Sequence, residues 1–322
     1  MMRIGIIGMG FMGGVHLNAW QQNRYADVVA VCDANPIAGK TKGNIDAGSD
    51  ELNLDGIHIY TEIGAMLSAE KLDAVSITLP THLHKSISIQ CLEAGVHVLC
   101  EKPMALNVED CNAMMAAADE AGKELMVAHC IRFWPAYAWI KSVMEQGCAG
   151  EVKSAEFSRL TYAPVWSGDS WFSDQSKSGG IALDLHIHDL DFIQHLFGEP
   201  DAQHSDGLRL ENGAVGHVVT ELKYGAGKMV RATASWLMPE SYGFRMAYEI
   251  IFEKLTAVFD GHELKIFPVD GEAYTVELDP GDGYTEEINY FSDLIRGAQI
   301  KTEITTEQAR ESVRMALETM KL

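Results

Sequence analysis

Gly8-Met9-Gly10-Phe11-Met12-Gly13 follows directly on an apolar run, Ile4–Ile7, and leads into a stretch with helical spacing. In that context the first glycine permits a tight turn. The second lets phosphates approach the backbone, and the third lets the helix pack on the strand. The start of the helix then offers amides and the positive end of its dipole to an anion. Asp33 closes the next apolar run, Val28–Cys32, 20 residues after Gly13, where a carboxylate can bind ribose hydroxyls. The combination reads as a dinucleotide site in which Gly8, Gly10, Phe11, Met12, Gly13 and Asp33 hold the phosphates and the adenosine end. Asp33 repels a 2′-phosphate and Ala34-Asn35-Pro36 offers no arginine to receive one. The expected cofactor is therefore NAD rather than NADP.

The rest of the first 125 residues repeats the alternation. Ala74–Leu79, Val96–Leu99 and Leu125–Ala128 are short apolar runs, separated by helical patterns such as Ile87, Cys91 and Leu92 before Gly95. Fully apolar strands alternating with helices predict a parallel sheet covered on both faces, the doubly wound α/β arrangement. The second part changes period. Glu151–Tyr162, Gly216–Tyr224, Lys228–Leu237 and Phe244–Phe252 alternate, with Val218, Thr220 and Leu222 facing one way and His217, Val219, Glu221 and Lys223 the other. That pattern predicts a large, open, mainly antiparallel sheet. Helices are expected near Thr285–Arg296 and Thr306–Met320, the second with Thr305 as N-cap and Gln308 three residues on. The expected organisation is a Rossmann domain at 1–125 and an α+β substrate-binding and oligomerisation domain at 126–322.

A length of 322 residues suits two such domains. The net charge of −21 argues against nucleic acid and against anionic membrane surfaces as partners. No apolar run reaches the roughly 18 residues a membrane helix needs. The six cysteines form no C-x-x-C pair. With the start reading as a strand and not a signal peptide, a reducing cytoplasm is expected.

The chain also resembles a known family in several segments. Glu101-Lys102-Pro103 at the end of an apolar run is similar to the Glu-Lys-Pro signature of the Gfo/Idh/MocA family of sugar and cyclitol dehydrogenases. Leu79-Pro80-Thr81-His82-Leu83-His84 resembles its Thr-Pro-Asn-x-x-His segment, with Leu79 and Thr81 in place of the usual Thr and Asn. Arg132-Phe133-Trp134-Pro135 resembles its Arg-Phe-x-Pro turn. Gly179-Gly180-Ile181-Ala182-Leu183-Asp184-Leu185-His186-Ile187-His188 resembles Gly-Gly-x-x-x-Asp-x-Gly-x-His, with His186 where the family has Gly. The resemblance implies further cofactor contacts from Leu79, Pro80, Thr81, His84, Glu101, Lys102 and Arg132. It also implies catalytic positions at Lys102, Asp184 and His188, and dimers or tetramers.

Chemistry supports those three positions. Hydride transfer from an alcohol needs a group that takes the hydroxyl proton and one that holds the oxygen. An imidazole such as His188 suits the first task. A fixed cation such as Lys102 suits the second. At about 100° per residue, Leu183, Ile187, Leu190, Ile193 and Phe197 form an apolar helical stripe, with Asp184, His188 and Asp191 opposite and His186 toward the apolar side. Asp184 can orient the imidazole or bind a substrate hydroxyl. The histidines two apart diverge, so no metal is expected at Asp184, His186, His188, Asp189 and Asp191. Trp134, Tyr162, Trp166 and Trp171 are candidates to line a sugar site beside Lys102, Asp184 and His188. The expected activity is an NAD(P)-dependent dehydrogenase or reductase of a sugar, inositol or similar polyol. A glycosidase working by transient oxidation and a non-catalytic NAD-sensing regulator are the rival readings. The half-apolar sheet face predicts self-association, which the resemblance implies takes the form of a dimer or tetramer.

Overall fold

The computed structural model describes residues 1–37, 52–163, 174–225 and 227–322. They form two compact units. One comprises Met1–Cys130 with Asp282–Arg310, the other Ile131–Gly281 with Glu311–Leu322. Among the described residues no helix is long and apolar enough to cross a membrane.

In the first unit β1 (Met2–Ile7), α1 (Phe11–Gln22), β2 (Ala26–Cys32), β3 (His58–Tyr60), α2 (Ile63–Ala69), β4 (Ala74–Ile77), α3 (Thr81–Glu93), β5 (His97–Glu101), α4 (Val108–Ala121) and β6 (Leu125–Ala128) follow in order. The six strands lie as β3-β2-β1-β4-β5-β6, and every pair is parallel. Ile4, Ile6, Val75, Ile77, Val98 and Leu99 are fully buried, as strands covered on both faces must be. Strand order reverses between β1 and β4, the switch point beside which such sheets bind ligands. The short edge strand β3 was not expected from the sequence. Its three residues are too few to show a period, and Ile59 is exposed.

The second unit holds α5 (Pro135–Gln146), β7 (Val152–Leu160), α6 (Gln175–Ser178), α7 (Ile187–Phe197), and β8 (Ala202–Arg209), β9 (Val215–Tyr224), β10 (Lys228–Ser235), β11 (Arg245–Phe252), β12 (Leu255–Phe259), β13 (Leu264–Pro268) and β14 (Tyr274–Thr275). The eight strands lie as β14-β13-β12-β11-β7-β10-β9-β8. Only β10 and β7 pair in parallel; the other neighbours are antiparallel. The alternation on β9 is as expected, with Val218, Thr220 and Leu222 fully buried and Glu221 and Lys223 exposed.

The last two helices are α8 (Gly283–Ile295) and α9 (Thr306–Glu318). Asp282 caps α8 by accepting from the Tyr284 and Thr285 amides, and Thr305 Oγ1 accepts from Gln308 N. α8 belongs to the first unit, where Phe291 meets Trp20 of α1 edge-on at 6.3 Å and Asn289 bonds Asn23. Sequence order had placed it with the second domain. Its buried face finds a partner more than 260 residues upstream, which local pattern cannot show.

Candidate active site

The loop after β1 is built by its glycines. Gly8 has φ +94°, and a Cβ there would lie 2.8 Å from the Thr78 carbonyl oxygen. A Cβ on Gly13 would lie 2.1 Å from the Gly8 carbonyl oxygen, while one on Gly10 would meet nothing within 4 Å among the described residues beyond its chain neighbours. Gly8 and Gly13 are thus required by the fold. Gly10 leaves open space above the start of α1, whose N-terminus has no side-chain cap and no acidic residue in its first turn. An uncapped helix start under open space fits a pyrophosphate. Asp33 follows β2 and holds the loop. Its Oδ2 accepts from Met9 N at 2.7 Å and its Oδ1 from Asn35 N at 2.8 Å. The residues present therefore fit a dinucleotide at this edge.

Leu79, Pro80 and Thr81 follow β4, Glu101 ends β5 and Lys102 follows it, so parallel strands bring them to the same edge as Gly8 and Asp33. His84 of α3 links the two segments. Its ring nitrogens lie 2.8 Å from the carbonyl oxygens of Pro103 and Leu79. Burial holds this ring below its ordinary pKa, against the pull of both carbonyls. Lys102 is half-buried, its amide donates to Glu101 Oε2, and its bond to Pro103 is cis.

Sequence reasoning missed what lies behind Glu101. His16 of α1, Glu101 and Glu287 of α8 are all buried, with ligand atoms within 4.8 Å of one another. His16 Nε2 lies 3.1 Å from Glu101 Oε1. Burial would raise the Glu101 pKa, but the His16 bond and the charges of His16 and Lys102 outweigh it and hold it low. Glu287 is the opposite case. Both its oxygens lack a hydrogen-bond partner among the described residues, and burial, with Glu101 and Asp282 nearby, pushes its pKa well up. The two neighbouring carboxyls are thus pushed in opposite directions, Glu101 down and Glu287 up. Glu287 sits in an ordinary helical pattern, so no signal in the sequence marked it.

In the second unit, Asp184 and His188 fall in and just after a wide turn, Ala182–His186, in which Ile187 N donates to Ala182 O. Both are half-buried. The expected polar stripe is corrected here. Asp191 is not on an open face but fully buried, as is Asp189. Arg132 Nε and Nη2 donate to Asp191 at 2.8 and 2.7 Å, and Ser312 Oγ adds 2.8 Å. Arg159 of β7 grips Asp189 at 2.9 and 3.2 Å. Buried carboxylates of this kind need such partners, and those come from distant segments. The Arg132 guanidinium, expected toward the cofactor, is thereby engaged by Asp191. His186 lies on the apolar side as expected, fully buried, with Nε2 2.8 Å from Thr220 Oγ1. Trp134 precedes α5 and Tyr162 bridges to Leu237; both are half-buried. Trp166 and Trp171 lie outside the described residues.

A six-stranded parallel sheet with a glycine loop at its switch point and an acid after β2 defines a Rossmann-type dinucleotide-binding protein. The oxidoreductase family with an NAD-binding Rossmann fold, GFO_IDH_MocA, matches residues 2–129, and the GFO/IDH/MocA C-terminal domain matches 137–258. The chain belongs to the Gfo/Idh/MocA family. It is 30% identical over 291 residues to an inositol 2-dehydrogenase of Rhizobium meliloti, covering 88% of this chain and 80% of that one. It is 31% identical to a D-apiose dehydrogenase of Paraburkholderia graminis, covering 80% of this chain and 65% of that one. Against several curated relatives the match spans about half to two thirds of their length. A levoglucosan dehydrogenase, solved with NADH and levoglucosan, shares the fold with TM-score 0.81 at 24% identity, over 99% of this chain and 96% of that one.

Proposed function

We propose that the protein is an NAD-dependent dehydrogenase or reductase acting on a CH–OH group of a sugar, inositol or similar polyol. The observation that carries this is the shared sheet edge, where the Gly8–Gly13 loop and Asp33 stand with Glu101-Lys102 at the end of β5. Relatives named for inositol and apiose support the substrate class. Gly8, Gly10, Phe11, Met12, Gly13 and Asp33 would hold the phosphates and adenosine ribose, and Leu79, Pro80, Thr81, His84 and Glu101 the segments nearer the nicotinamide. When bound, the nicotinamide supplies the hydride acceptor or donor.

Lys102 Nζ binds the reacting oxygen and favours its alkoxide character. His188 takes the hydroxyl proton in oxidation and returns it in reduction. Asp184 orients that imidazole or binds a neighbouring hydroxyl. Trp134 and Tyr162 offer aromatic faces to the C–H side of a sugar, a role that Trp171 would share. Asp33, fixed by Met9 N and Asn35 N, presents its charge to the ribose, which selects NAD over NADP. Six free cysteines, five of them buried, suit the reducing cytoplasm we assign. The eight-stranded sheet is the proposed self-association surface.

A panel of polyols, aldoses and sugar acids with NAD or NADP, followed by reduced-nicotinamide absorbance, tests the reading. Turnover with NAD on at least one polyol is expected. Consumption of substrate without net reduced cofactor would replace it with the transient-oxidation reading. Equal or tighter NADP binding in a titration would remove the role given to Asp33.

A further inference from the structure

The wide turn before α7 sets the directions of Asp184 and His188. A turn closed from residue i to i+5 holds one residue more than an α-turn. Side chains before it are rotated, relative to those after it, by roughly the 100° of one helical residue. Such a turn relaxes to α unless side chains hold it, and here three do. Ile181 and Leu185 pack into a core with Val215, Val218 and Ala234. His186 is fully buried beside them, with Nε2 2.8 Å from Thr220 Oγ1 of β9. Thr220 Oγ1 lies in turn 3.0 Å from Ser205 Oγ of β8. Asp184 and His188 are the half-buried members of the segment.

The His186 tautomer follows from its surroundings. Burial, with Arg159 and His217 nearby, lowers the ring pKa to about 3, so the ring is neutral. Nδ1 has no partner. A buried N–H without an acceptor costs more than a bare acceptor nitrogen. The proton therefore sits on Nε2 and is donated to Thr220 Oγ1, which shares a further hydrogen bond with Ser205 Oγ. Two strands of the sheet are thus tied to the turn by one polar chain.

We propose that His186 is a positioning residue for His188 and Asp184. Anchored on Thr220, its ring holds the Ala182–His186 turn open and so fixes the angle at which both side chains project. This rests on the reading of His188 and Asp184 as working residues, but its first test needs no substrate.

The ring 15N signals of His188, assigned with His188→Ala, are followed through a pH titration of the full chain. In His186→Gly the His188 curve is expected to move by about half a pH unit or more. His186→Gln carries an amide nitrogen where Nε2 was and should restore the wild-type curve. Thr220→Val should move the curve in the same direction as His186→Gly, and Thr220→Ser should not. On the polyol reduced or oxidised fastest in the panel, kcat of His186→Gly should fall about 10- to 100-fold with KM for NAD unchanged. If His186→Gly and Thr220→Val lower the melting temperature but leave the His188 curve and kcat per folded molecule as in wild type, His186 is only a core residue and the proposal fails. Loss of the catalytic reading shows differently, as His188→Ala retaining full turnover.

Discussion

In the proposed mechanism Lys102 and His188 have separate tasks, and each can be removed alone. Lys102→Ala leaves the glycine loop and Asp33 to hold NAD, so the Kd for NAD should change little. Turnover should fall about 10²–10³-fold, the usual worth of one preorganised electrostatic donor. His188→Ala should cost about 10²–10⁴-fold, as loss of a general base does, and flatten the pH–rate profile. Near wild-type turnover in both variants would reject the assignment. Glu287 makes a prediction of opposite sign. Its folded pKa is raised above the unfolded value. Its contribution to stability is therefore fully present below about 4.5 and lost as pH rises toward the folded pKa. Glu287→Gln removes that loss, so the variant should melt above wild type at pH 8 and near it at pH 4. A lower melting temperature at pH 8 would show that the Glu287 carboxylate is wanted charged. Lys102 and His188 could be proposed from the sequence because a residue type and a spacing mark them. Glu287 could not, since what distinguishes it is burial against Glu101 from another part of the chain.

At the level of elements, what could be read was what carries a local period. Parallel strands such as β1 and β5 are apolar throughout, and β9 alternates cleanly. β8 reads Ala-Gln-His-Ser-Asp-Gly-Leu-Arg. It is an edge strand with little to bury, and no pattern announced it. The helical stripe through residues 183–197 held for its apolar members and for Asp184 and His188, and failed at Asp191. The wide turn shifts the phase, and the arginines that let Asp189 and Asp191 sit inside lie at 159 and 132. The glycine loop was fully legible, and its two kinds of glycine can be separated. Gly13→Ala puts a Cβ against the Gly8 carbonyl, so it should lower the melting temperature and weaken NAD binding tenfold or more, about 1.4 kcal/mol or above. Gly10→Ala brings its Cβ within 4 Å of nothing beyond its own helix and chain neighbours among the described residues. It should weaken NAD binding while the melting temperature stays at the wild-type value. Equal loss of stability in both would mean that Gly10 serves the fold and not the phosphates.

For the whole molecule, the sheet of the second unit argues for self-association through its pairing register. Residues directly opposite across a ladder share a face. One row on the face away from the Val218 core runs Lys223, Met229, Ser154, Ile251, Thr256 and Phe267. The adjacent row runs Glu221, Arg231, Glu156, Glu249, Val258 and Lys265. Met229, Ile251 and Phe267 are 58%, 40% and 45% exposed. Apolar positions thus lie beside a row that carries both signs of charge, including Arg231 between Glu156 and Glu221. Such a face can meet its own copy across a two-fold axis, apolar against apolar and cation against anion. Sedimentation at micromolar concentration should give a multiple of the 35.4 kDa chain mass. Met229→Asp with Ile251→Asp places two charges in the apolar row without touching the buried face. This variant should sediment as the single chain with its circular dichroism unchanged. A wild-type mass of 35.4 kDa, or a double variant as large as wild type, would show that the sheet face is not the surface through which the chain associates.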